Sequence, residues 1–154
     1  MVAIHKISTD FYEDSFDLIA LHSSLEDYAM AYALNLCLKS NFRRRRKDLD
    51  LSAHVAVPIF EWQDDFNDRY WTFFPNNNIR EDTSSRTDLF RDEPAYSTFT
   101  VVSEYREVDY FIKIEQDDHD NTEELLKMLL AVPRIVTAYH IDTNKLKSKN
   151  NLIY

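Results

Sequence analysis

The chain alternates short apolar stretches with polar breaks, and the period of each stretch predicts its element. Phe16–Leu21, FDLIAL, is apolar on both faces except at Asp17, which predicts a central strand. Behind it, Ser23 with Glu26 three residues on has the form of a capping box. Leu25, Tyr28, Ala29, Tyr32, Ala33 and Leu36 then recur at helical spacing. A helix is expected over Ser24–Lys39 with that stripe turned to the core. Asn41 stands where a left-handed residue often closes such a helix. FRRRRKDLDL at 42–51 reads as an exposed strand. HVAVPIFEW and RYWTFFP read as a hairpin joined by the acidic QDDFND.

Residues 76–93 are polar and rich in turn formers, and predict one long loop with a helical turn near Asp88–Arg91. AYSTFTVV after Pro94 predicts another strand. In the strand after it, Val108, Tyr110, Ile112 and Ile114 would point one way and Asp109, Phe111, Lys113 and Glu115 the other. DDHDNTEELLKMLLAV predicts a second helix, capped by Asp120, Asn121 or Thr122 and ended by Pro133. RIVTAYHID predicts a last strand, and 143–154 a polar tail with an apolar tip. The economical arrangement is α+β: a mostly antiparallel sheet with two helices on one face, as an elaborated ferredoxin-like split βαβ. A curved sheet wrapped around the helices is the alternative. The length of 154 residues fits a single domain, and no linker or repeat interrupts it.

Composition narrows the function classes. The chain has no glycine, where average usage gives roughly eleven. That excludes a Gly-rich dinucleotide fingerprint, a phosphate-cradling loop, a G-x-S-x-G elbow and an EF-hand, so no cofactor is expected. Turns needing positive φ are left to Asn and Asp, such as Asn76–Asn78, Asp117–Asp118 and Asn41. The net charge of −9 repels phosphate backbones, so nucleic acid is a disfavoured partner. Cys37 is the one cysteine, which rules out an intramolecular disulfide. The polar, acidic start and the lack of a long apolar run predict no membrane segment and a cytoplasmic location.

Glu104-Tyr105-Arg106-Glu107-Val108-Asp109-Tyr110 resembles the signature of an uncharacterised bacterial family named after its motif, IPExxxVDY. Val102-Ser103 stand where that family has Ile-Pro. FDLIALHSSLEDYAMAY, at 16–32, is similar to the family's N-terminal part. The resemblance spans about Phe16 to Ile141. It implies a small cytosolic bacterial protein and carries no established activity.

The candidate chemistry is thin. Glu104, Glu107 and Asp109 are acceptors suited to a cation or a partner's basic residue, with Arg106 as a tuning charge. An ordinary charged turn has the same composition. Arg43, Arg44, Arg45, Arg46 and Lys47 form a basic run suited to RNA or an acidic protein. They also suit an edge strand guarded by its charges. The histidines and Cys37 have no metal-ligand spacing. Cys37 itself reads as a small buried hydrophobe. The stretch FEWQDDFNDRYWTFFP holds seven aromatics, among them Trp62 and Trp71. It offers either a protein-binding patch or an aromatic core. His22 beside Ser23 and Ser24 is a weak general-base candidate. The reading that follows is a non-enzymatic protein-interaction or self-associating domain. An RNA- or ribosome-associated factor is the alternative.

Overall fold

The computed structural model describes residues 16–52, 55–82, 95–116 and 122–154. Its elements in chain order are β1 (Asp17–Ser23), α1 (Asp27–Leu38), β2 (Arg43–Arg44), β3 (Leu49–Ser52), β4 (Val55–Val57) and β5 (Phe60–Asp64). Then come β6 (Arg69–Pro75), β7 (Asn77–Asp82), β8 (Ala95–Thr100), β9 (Tyr110–Gln116), α2 (Thr122–Leu130) and β10 (Ile135–Ile141). The main sheet has the order β10-β1-β9-β6-β5-β2, antiparallel at every pairing. β1, α1, β6, β9, α2 and β10 alone follow the split βαβ order. β2 and β5 widen the sheet, and β3–β4 and β7–β8 are separate hairpins.

The fold is α+β with both helices on one face. Met30, Ala31 and Leu34 of α1 and Leu129 of α2 share one core cluster with Ile19, Leu21, Phe73, Tyr110 and Ile112 of the sheet. The opposite face buries Leu18, Ala20, Phe74 and Phe111. Among the described residues no α-helix lies on it, and its helical cover is single 3-10 turns such as Lys149–Leu152. Val55, Val57 and Ile59 cover it together with Val101, Val102, Leu146 and Leu152. The segment after β10 is therefore packed onto the sheet and is not a free polar tail.

Several expectations need correction. α1 starts at Asp27, because Ser23 serves the end of β1 and caps nothing: its hydroxyl donates to Arg134 O at 2.8 Å and accepts from Leu25 N. Lys39, not Asn41, takes the left-handed position after the helix, at φ 54°. Asn35 closes that turn by accepting from Ser40 Oγ and Phe42 N. The positive-φ positions among the described residues are Lys39, Asp68 and Arg134, so Asn is used at none of them. The supposed loop from 76 begins with a strand. β7 pairs with β8 along its length, Asn77 against Thr100 and Asp82 against Ala95. Backbone pairing does not require apolar side chains, which is why a polar hairpin read as a loop. The expected turn at Asp88–Arg91, the caps Asp120 and Asn121, and Asp117–Asp118 lie outside the described residues.

Candidate functional site

The charged entrance to β9 is a structural junction. Asp109 Oδ2 accepts from Ser23 N at 2.9 Å. Its own N–H donates to Leu21 O, and its carbonyl accepts from Asn76 N at 2.9 Å. One residue thus ties the start of β9 to the ends of β1 and β6. Glu104 accepts from Ser148 Oγ and from the N–H groups of Lys147 and Ser148. Desolvation opposes its ionisation, but the hydrogen bonds from Ser103, Ser148 and Lys147 prevail and hold its carboxyl below the usual range. Arg106 is exposed, and its carbonyl accepts from Asn77 Nδ2 at 2.8 Å. Among the described residues, no cluster of three His, Cys, Asp or Glu side chains could hold a metal ion.

The centre of this junction is Asn76, a residue that sequence reasoning treated as turn material. It is fully buried. Its Nδ2 donates to Tyr105 O and Val108 O, and its Oδ1 accepts from Val102 N at 2.9 Å. The signal was present: Thr72, Phe74 and Asn76 are spaced by two along β6 and the residue that follows it, and all three are fully buried. Lys113 was a second omission. It is buried on the same face, with Nζ 4.8 Å from the Phe16 ring centroid, 4.4 Å from that of Tyr154 and 3.5 Å from Glu115 Oε1.

The basic run is a guarded sheet edge. Arg43 and Arg44 form the two-residue β2 against Glu61 and Phe60. Arg44 pairs with Asp48 at 2.5 Å and Arg45 with Glu61 at 3.4 Å. Glu61 also accepts from Tyr70 Oη at 2.8 Å. Burial, then the hydrogen bond to Glu61 and after it the Glu61 charge, push the Tyr70 phenol up to about 12. Arg43, Arg46 and Lys47 are exposed.

The aromatic hairpin is core. Phe60, Trp71, Phe73 and Phe74 are buried, and Trp62 is half-buried with its ring edge-on to Trp71 at 5.2 Å. Phe66 at the turn is the exception, 95% exposed. Trp71 is therefore removed as a docking residue, and its Nε1 is buried without an acceptor among the described residues.

The larger reversal concerns α1. Half of the stripe expected in the core faces outward: Tyr28 is 66% exposed, Tyr32 69% and Leu36 68%, while Leu25 and Ala33 pack against the core as expected. The segment DYAMAYALNLCL is apolar all round, so spacing alone does not choose its inner face. Chemistry does. Burying Tyr28 and Tyr32 would strand two hydroxyls, whereas Met30, Ala31 and Leu34 carry no polar side-chain group. Cys37 is exposed as well, contrary to the buried role expected for it. No charge occurs from Tyr28 to Leu38.

His22 Nε2 lies 2.9 Å from Tyr139 Oη, and the Ser23 hydroxyl is engaged with Arg134 O. Neither arrangement makes a base and nucleophile pair. Among the described residues, no helix is long and apolar enough to cross a membrane. No family model, curated protein or solved structure matches the chain.

Proposed function

We propose that the protein is a non-enzymatic interaction domain of the cytosol that binds a protein partner through the outer face of α1. The observation that carries this is the uncharged stripe Tyr28, Tyr32 and Leu36, exposed along a helix of a chain in which 29% of residues are charged. An apolar stripe of this kind suits a complementary apolar helix or groove. Acidic residues sit at one end of it, Glu26 and Asp27, and Lys39 at the other. The partner surface is accordingly apolar, with a basic group at one end and an acidic group at the other. Kinship with the IPExxxVDY family belongs to the same proposal and is supported by EYREVDY and FDLIALHSSLEDYAMAY.

The test is affinity capture from bacterial cytosol with the tagged protein, comparing wild type with Tyr32→Glu. A protein that survives a high-salt wash and is lost with Tyr32→Glu supports the reading. RNA retained at low salt and lost with Arg43→Glu/Arg46→Glu would replace it with the nucleic-acid reading. A partner indifferent to both variants would sink both surfaces.

A further inference from the structure

The two edges of the main sheet are built differently, and the difference points to a second contact. At one edge β2 has two residues, both arginines. At the other, β10 runs for seven residues, IVTAYHI, and contains no Lys, Arg, Asp, Glu or Pro. Among the described residues its only strand neighbour is β1. A long edge without charge or proline presents a row of backbone donors and acceptors to another strand. A bulge opposite Ser23 leaves Val136 out of the β1 ladder, where it is 79% exposed.

We propose that this edge pairs antiparallel with β10 of a second copy, about a two-fold axis beside Ala138. The strand is self-complementary in that register. When Ala138 meets its own copy, Arg134 lines up with the second copy's Asp142, and Val136 with its His140. Arg134 and Asp142 are the charges that bracket the strand, and both are exposed. An antiparallel pairing therefore sets opposite charges together at both ends, which a parallel pairing does not. The two sheets of six strands become one of twelve, with the helices of both copies on the same side. The bulge and the limit of seven residues per strand place this pairing at the weak end of specific association. It does not use the α1 stripe, so it stands or falls independently of the partner proposed for that helix.

Sedimentation velocity over about 1 μM to 1 mM tests it. Wild type should shift from monomer to dimer with concentration. Val136→Lys, at an exposed position, should stay monomeric with an unchanged circular dichroism spectrum, and Tyr32→Glu should dimerise like wild type. Register is read separately, in a Cys37→Ser background under mild oxidation. Directly opposed residues of antiparallel strands have Cα atoms about 4.5–5.5 Å apart, within disulfide reach. Ala138→Cys should cross-link between copies faster than Val136→Cys, which the two-fold sets several residues out of line. Wild type remaining monomeric throughout, Val136→Lys dimerising as wild type does, or the two cysteines cross-linking equally would each overturn the proposal.

Discussion

The two faces of the main sheet are held by different physics. Among the described residues, the helix-covered face buries Ser23, together with the polar ends of Tyr110, which donates to Leu25 O, and Trp71. The opposite face buries Thr72, Asn76 and Lys113. A helix satisfies its own backbone, so it can lie on a sheet through apolar contact alone. The cover of the other face is short hairpins and irregular chain, whose amides and carbonyls need partners. Asn76 supplies them for residues 102–108, and Glu104 for 147–148. The face covered by irregular chain thus buries whole polar side chains as anchors, whereas on the helix-covered face the anchors are at its margin, Asn35 holding Phe42 and Tyr110 holding Leu25 O.

Substitutions at three positions sharpen or break this contrast. Phe73→Ala on the helix side should lose about 3–5 kcal/mol in urea unfolding, while Phe73→Leu should lose less than about 1.5, because volume governs there. Asn76→Leu keeps volume and adds apolarity, yet should lose about 2–3 kcal/mol, because the buried Val102 N–H is left without an acceptor. Tyr105 O and Val108 O keep partners in Val108 N and Asn77 Nδ2. A neutral Asn76→Leu would mean that both faces obey the same rule. The smallest effect is Glu104→Gln, read as melting temperature against pH. The Glu104 carboxyl is lowered in the folded state, so its contribution is present above the ordinary glutamate range and is lost as pH falls through the lowered value. Wild type should exceed the variant near neutrality, and the two should converge as pH drops toward 3. A constant gap across that range would show that the charge of Glu104 is irrelevant.

The same contrast explains what the sequence made legible. β1, the β5–β6 hairpin, β9, α2 and β10 each carry an apolar period, and each lies close to where that period put it. β7 carried none, since Asn77, Asn78, Arg80, Glu81 and Asp82 pair through their backbone. The inner face of α1 was illegible from spacing because two apolar stripes compete, and the cost of burying tyrosine hydroxyls decides between them. Of the candidate site residues, Asp109 and Glu104 are joined through long-range backbone contacts at Ser23 and Ser148, and local sequence has no signal for that. Trp62 and Trp71 were recognisable as aromatic pattern. Whether a hairpin ring is inside or outside depends on what covers the sheet.

The missing glycine acts mostly where the chain is unfolded. Lys39, Asp68 and Arg134 hold left-handed backbone that glycine would adopt freely, at about 1 kcal/mol or more each. Against this, a glycine-free unfolded chain samples fewer conformations, and each glycine replaced at a compatible position stabilises by about 0.4–1 kcal/mol. Over the roughly eleven glycines an average chain would carry, that restriction amounts to about 4–11 kcal/mol, against about 3–6 kcal/mol for the three left-handed positions among the described residues. The protein thus gains part of its stability from a denatured ensemble with less freedom to lose.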